Sequence, residues 1–466
     1  MLGQLVSCMQ GTRTGLLAEI QGWIQRLGSE QVFWVKGRLG TGKTTIAHTI
    51  AKHAQDAGLL GANFFFSRFD ESLHDPRLIF PTIAYHLSRF HPAFKQAIIS
   101  AVAADPDIAH LQPANQFDLL LRRAATTLND VRHPIVFVFD ALDEFERGIG
   151  SFRDVMYLFI HGLATLSPNI RIFVTSRPEP YIDCLMRSVT TRGLPIRVYD
   201  LDRDPETRDD IRTYLRTGLV QISASWCLGD DENQWYTADE YRQLVSRACN
   251  SFVYASAALR FIADPVAYDP RGQLDVLLGA RPATSSSNPN PHSALDNLYM
   301  LVLQRAYPES HETSEATLEM LRSILAHSGV VTNLTHSDYS DDMISHFISC
   351  TRVDFSRYLR HLGAIFSTRE DGFLVPHHWE SFTKFLTSRK RCFDLRFFVD
   401  RNRYQLRLAF RCFETVKRCY TEHMSDLPIV PSMTAAAVPP HTEAVSPQQR
   451  GVLVCFPLVD TLDIEM

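Results

Sequence analysis

Three short runs of this chain hold residue types that could do chemistry together. The first, Gly37-Arg38-Leu39-Gly40-Thr41-Gly42-Lys43-Thr44, reads G-x-x-x-x-G-K-T. That spacing closes backbone N–H groups on phosphate oxygens. Glycines permit the turn, and a helix N-terminus behind it adds the positive end of its dipole. Lys43 would reach the β- and γ-phosphates, and the Thr44 hydroxyl would hold Mg²⁺. Gly37, Gly40, Thr41, Gly42, Lys43, Thr44 and Thr45 are therefore the candidate nucleotide-binding positions. The competing reading is an ordinary glycine-rich turn.

The second run is Ile135-Val136-Phe137-Val138-Phe139-Asp140, an apolar strand that ends in an acid. Asp140 is placed to complete the Mg²⁺ shell with Thr44. Asp143 and Glu144 follow it, and one of them could orient or deprotonate an attacking water. A surface acidic turn is the plainer explanation. The third run, Arg171 to Arg177, is a strand with the polar tip Thr175-Ser176-Arg177. Arg177 could sense the γ-phosphate and stabilise charge in the transition state. Alternatively it forms an ion pair with Glu179 or Asp183. His377 and His378 are neighbours and cannot both reach one metal from a strand. One of them contacting a phosphate is the better expectation.

These runs need a scaffold that brings strand ends together. Gln31 to Lys36 predicts a buried strand before the glycine loop, and Thr45 to Ala51 a helix after it. Further strands are predicted at 63–66, 135–139, 171–175 and 196–199. Helices are predicted at 77–90 and 117–128 between them, and a lead-in helix carries Leu16, Ile20, Trp23 and Leu27. Strands alternating with helices imply a mostly parallel sheet covered on both faces.

After Asp204-Pro205 the strand signals stop. Helices over 206–219 and 238–263 predict a small helical domain, and Arg281 to Ser293 reads as a linker. Helices at 294–305 and 316–328 come next. Strands at 366–369 and 373–375 around Asp371-Gly372 then suit a winged helix, and 404–420 reads as an amphipathic helix. The expected organisation is a lead-in helix at 1–30 and a P-loop NTPase domain at 31–205. A helical domain at 206–280, a linker at 281–293 and a winged-helix-like domain at 294–390 follow. A helical segment at 391–425 and a loose tail at 426–466 complete it.

The 466 residues, 45% hydrophobic, can bury sizeable cores. A net charge of −5 gives no global argument for nucleic-acid binding. The basic stretch 389–418 interleaves with Leu406, Phe410, Phe413 and Val416 at helical spacing and reads as a solvated helix face. The 9 cysteines form no C-x-x-C pair, which suggests reduced thiols in the cytosol or nucleus, and a cytoplasmic location is expected. No run approaches the ~20 apolar residues of a membrane span.

The chain resembles fungal NACHT-type NTPases of the STAND class, the nephrocystin-like group related to NOD-like receptors. The resemblance is carried by Gly11-Thr12-Arg13 with Trp23, by Phe33 to Ala47, and by Phe64 to Arg68. It continues through Pro81 to Ala84, Asp140 to Glu144 and Thr175 to Glu179. Weaker matches run on through Phe252 to Ala255, Leu295 to Tyr299 and Ser381-Phe382 with Phe385-Leu386, so that it covers roughly residues 11 to 420.

The resemblance implies a switch. ADP would lock helical and winged-helix domains on the NTPase domain, and ATP would release them for assembly into a ring. Such proteins act in signal transduction, including innate immunity and self/non-self recognition. The resemblance also implies Asp143 as catalytic acid with Glu144 in support, because Ala141 replaces the acid after Asp140. A winged-helix histidine that touches the ADP β-phosphate would be His378, although family spacing points to Trp379. Ser251 stands where glycine is usual and Leu39 where alanine or proline is common. These departures bear on the locked state more than on binding. With the phosphate loop at residue 37, the expectation is a chain without an effector domain before it, whether naturally short, truncated or a decoy regulator. No periodic repeat follows residue 420.

Three functions compete: a nucleotide-gated oligomerisation switch with slow ATP hydrolysis, a constitutive ATPase motor, and a nucleotide-binding scaffold without turnover. No pore-loop or nucleic-acid motif supports the motor.

Overall fold

The computed structural model describes residues 7–26, 30–66, 76–128, 130–145, 152–228, 235–279, 293–309, 315–334, 362–368, 374–376 and 379–404, and scattered positions to 417. At its centre is a parallel sheet. Its strands are β1 (Val32–Lys36), β2 (Leu60–Phe65), β3 (Ile135–Asp140), β4 (Ile170–Ser176) and β5 (Ile196–Asp200), in the order β2-β3-β4-β1-β5. Strands buried on both faces read as continuous apolar runs, not alternating ones. Every residue of β3 and β4 is buried, including polar Arg171, Thr175 and Ser176.

Alternate side chains enter two separate cores. Phe33, Val35, Val136, Val138 and Phe173 face α1 (Thr14–Gln25) and α2 (Lys43–Asp56). Trp23 from α1 meets Phe33 edge-on with ring centroids 5.3 Å apart. Val32, Trp34, Phe137, Phe139, Ile172 and Val174 point the other way. They meet α3 (Pro76–Phe90), α4 (Pro92–Ala104) and α7 (Pro180–Thr191), among other segments. Between α4 and α7 lie the short helices α5 (Pro113–Gln116) and α6 (Phe152–Tyr157).

Two expected helices differ in detail. Phe117 to Leu128 is a π-helical turn, Phe117–Arg122, followed by a 3₁₀ stretch, Ala124–Leu128. The wider turn brings Phe117, Leu120 and Leu121 all into the core, with Phe117 lying against Gly162. The single helix expected over 238–263 is two helices, α9 (Ala238–Ala248) and α10 (Phe252–Ile262), preceded by α8 (Thr207–Trp226). The break falls at Cys249 and Asn250, which hold φ of 44° and 61°. Left-handed backbone at two successive non-glycine residues ends a helix that apolar periodicity alone would continue.

By packing, the chain forms two units: Met1–Leu259 with Pro270–Leu278, and Arg260–Asp269 with Gly279–Met466. The first contains the sheet and α11 (Pro270–Gly279) up to Leu278. In the second, α12 (Ser293–Ala306) carries Tyr299, whose ring lies against Phe382 and Phe385. Arg391 grips Asp296 on the same helix at 2.6 Å. Helix α13 (Glu315–Leu334) presents Arg322 to Glu319 at 3.0 Å. β6 (Phe366–Thr368) and β7 (Leu374–Pro376) pair antiparallel, close to the expected hairpin.

Candidate functional site

Connections leave β1 toward one side of the sheet for β2 and return past it to β5, so β1 lies at the switch point of the topology. Ligands of open α/β sheets bind at such a point, beyond the carboxyl ends of the strands. The glycine run starts there. Gly37 N–H donates to the Ser176 carbonyl at 3.3 Å, which ties the loop to the end of β4.

Gly40 and Gly42 hold φ of 86° and 88°, a region that other residues adopt only with strain. A Cβ on Gly37 would come within 2.8 Å of Thr41 Oγ1, and one on Gly40 within 3.0 Å of Ser251 and Val253. Helix α2 starts at Lys43, so Thr44 and Thr45 lie in its first turn. Lys43 Nζ donates to the carbonyls of Gly37 at 2.6 Å and Arg38 at 2.9 Å. Burial lowers the Lys43 pKa, opposed by the charge of Asp143.

β4 separates the glycine-loop strand from the acid strand. Its polar tip bridges them. The Thr175 hydroxyl donates to Asp140 Oδ1 at 2.5 Å and accepts from the Ala141 N–H at 3.1 Å. Thr44, in the first turn of α2, lies near enough to Asp140 to favour its ionised form. Burial raises the Asp140 pKa against these bonds and against the Lys43 charge. Ala141, at φ 58°, turns the chain so that Leu142–Glu144 forms a 3₁₀ turn over the strand tip.

Arg177 closes the group. Its backbone N–H donates to Asp143 Oδ1 at 2.9 Å, its Nε lies 3.3 Å from Asp143 Oδ2, and its Nη2 lies 3.3 Å from Glu144 Oε1. Where the alternative reading gave Arg177 an ion pair with Glu179 or Asp183, the structure pairs it with the two acids of the neighbouring strand tip; the γ-phosphate role expected for it stays a proposal. Tyr181, from the first turn of α7, donates to the Asp143 carbonyl at 3.0 Å.

All the candidate positions from Gly37 to Thr45, with Asp140, Asp143, Glu144 and Arg177, therefore collect at one edge of the sheet. His378 lies outside the described residues. Two further residues belong to the same edge and were not among the candidates. Thr175 fixes the rotamer of Asp140, and the signal for it was its place in the polar tip. Arg13 donates to the Thr41 carbonyl at 2.9 Å. Its signal was a broken local rule, since a cation at a helix N-cap opposes both capping preference and the dipole. Among the described residues no cluster of His, Cys, Asp and Glu is arranged as a metal site of its own.

Residues 11–177 match a family model described as Nephrocystin 3, N-terminal. The match runs from the lead-in loop through Arg177 and so takes in the glycine loop and both strand tips. A search of the curated proteins found no match. No helix among the described residues is long and apolar enough to cross a membrane.

Proposed function

We propose that the chain is a nucleotide-gated switch that binds ATP and ADP with Mg²⁺, hydrolyses ATP slowly and self-associates in the ATP state. The observation that carries this is the convergence of the glycine loop, Asp140 and the Asp143–Arg177 pair on one sheet edge. The residues fit such a ligand. Gly37 and Gly40 leave a cradle that side chains would fill. Thr44 and Asp140 offer the hard oxygen donors that Mg²⁺ takes.

In this reading Lys43 and the loop N–H groups hold the phosphates, and Thr44 and Asp140 hold the metal, which would neutralise charge between the phosphates. Asp143, supported by Glu144, orients water. Arg177 leaves the acids to meet the γ-phosphate. Its two ion pairs oppose that exchange, because a buried charge that leaves one partner must find another. His378 and a winged-helix-like domain would complete the locked form. The resemblance to NACHT-type NTPases supports roles in signalling, with immunity among them.

The same ion pairs favour a second reading, a nucleotide-binding scaffold without turnover, in which Arg177 stays on Asp143 and Glu144. The test is the mass of the protein with ADP and with a non-hydrolysable ATP analogue, beside the nucleotide released on denaturation. Assembly with the analogue, lost in Lys43→Ala, supports the switch. Bound nucleotide with unchanged mass and no turnover supports the scaffold.

A further inference from the structure

Arg13 is 3% exposed, and its guanidinium joins three segments distant in sequence. Nη1 donates to Asp204 Oδ2 at 2.5 Å and to Thr207 Oγ1 at 2.7 Å, at the start of α8. Nη2 donates to the Thr41 carbonyl at 2.9 Å, inside the glycine loop. The backbone N–H of Arg13 donates to Asp210 Oδ1 at 3.0 Å, and the guanidinium lies over the Phe252 ring, 5.1 Å from its centroid. Phe252 in turn donates its own backbone N–H to the Gly40 carbonyl at 2.9 Å. Two successive carbonyls of the glycine loop are thus held by groups from outside it.

That has a geometric consequence. In a trans peptide the carbonyl and the next N–H point in opposite directions. A carbonyl held at Gly40 aims the Thr41 N–H the other way, and a carbonyl held at Thr41 does the same for the Gly42 N–H. Gly40 and Gly42, at positive φ, have little steric preference of their own and would otherwise let these peptides rotate. A planar fork suits the task, because it binds Asp204, Thr207 and Thr41 at once.

We propose that Arg13 is a positioning residue of the nucleotide site, which with the Phe252 N–H holds the phosphate loop from behind and keeps its N–H groups aimed at the anion. The inference rests on the nucleotide-binding reading above. Its ligand is the diphosphate common to ADP and ATP, and no contact between Arg13 and the ligand is required.

The test compares two buried arginines. Arg171 is equally buried and also donates to backbone carbonyls, those of Pro168, Ile170 and Arg26, but at the opposite end of β4. Arg13→Met and Arg171→Met each lose carbonyl contacts and should both lower the melting temperature. Affinity for a fluorescent N-methylanthraniloyl-ADP with Mg²⁺ is then measured well below either melt. At least a tenfold loss in Arg13→Met, with Arg171→Met within twofold of the parent, supports the assignment. Equal losses in both variants, or parent-like affinity in Arg13→Met, overturn it. If Arg13→Met does not fold, Arg13→Lys, which keeps the charge without the fork, is judged by the same criteria. A parent chain that does not bind the labelled ADP, with Lys43→Ala indistinguishable from it, overturns the nucleotide reading as well. Retained binding in the Arg13 variant overturns this inference alone.

Discussion

The two ends of the central sheet treat buried charge in opposite ways. At the amino end, Arg171 gives its guanidinium to three carbonyls, and burial lowers its pKa. It ties β4 to the end of α1 through Arg26. At the carboxyl end, Lys43, Asp140, Asp143, Glu144 and Arg177 sit within one another's fields, with Arg13 behind them. The amino end and the layers behind it are mostly hydrocarbon and aromatic rings. The carboxyl end concentrates groups whose burial is unfavourable until they are paired. Apolar burial and paired charge are thereby assigned to different parts of the same strands.

The largest expected effect breaks the hydrocarbon layer packed beneath the carboxyl end. Phe159 is fully buried, with its ring centroid 4.2 Å from that of Phe139 and 5.6 Å from that of Phe66. Phe159→Ala should cost about 3–5 kcal/mol in denaturant unfolding. If the parts are separable, nucleotide affinity of the folded fraction should stay near that of the parent.

A smaller effect comes from His48 on α2, whose ring stacks on Phe65 at 4.1 Å and whose pKa burial lowers to about 4. The unfolded chain takes up this proton near pH ~6.5, before the folded one does. The stability contributed is thus fully present above that value and is lost as pH falls through the folded value of about 4. About 2–3 kcal/mol of the acid sensitivity of unfolding should disappear in His48→Phe. Unfolding free energies measured across that window check this; identical slopes in parent and variant would contradict it.

Asp140→Asn sharpens the comparison from the other side. Asparagine keeps an acceptor for Thr175 and removes a charge that burial disfavours. The melting temperature without ligand should hold or rise, by about 1 kcal/mol of stability, while Mg²⁺-dependent nucleotide binding falls. A clear drop in stability would show that the carboxylate is structural.

The smallest effect lies away from both ends. Glu240 closes the capping box of α9 and is held to a pKa of about 2, first by Arg271, whose Nη2 lies 2.5 Å away. Its contribution is present above the unfolded carboxylate value and is lost as pH falls toward about 2. Arg271→Met should cost less than about 1 kcal/mol at neutral pH, because Arg271 is 42% exposed and solvent screens the pair. Thermal melts at pH 7 and near pH 3 would measure it.

Much of this was legible in the residues. β1, β3 and β4 announce themselves as apolar runs, and the acid at the end of β3 follows from its position alone. The parallel sheet and the collection of motifs at one edge follow from alternating strands and helices. Tertiary contact decided the rest. The break at Cys249-Asn250 has no glycine or proline to mark it, yet it sets Phe252 against Gly40. Arg13 stands in the sequence only as part of the Gly11-Thr12-Arg13 resemblance, and its role needs Asp204, Thr207 and Asp210, nearly two hundred residues on, to be seen around it. The partners of Arg177 needed the strand order, since Asp143 and Glu144 are its neighbours only because β3 pairs with β4.

That pairing has a further consequence. Side chains on a strand alternate between faces, so a slip of β4 by one residue against β3 would turn Thr175 away from Asp140 and carry Arg177 past Asp143 together. The hydrocarbon layers could tolerate some mispairing, because apolar residues fill both faces of these strands. The polar tip could not. In the nucleotide-binding reading proposed above, ligand affinity is therefore a readout of strand alignment as well as of chemistry, and a misregistered chain would lose affinity before it lost its hydrocarbon layers.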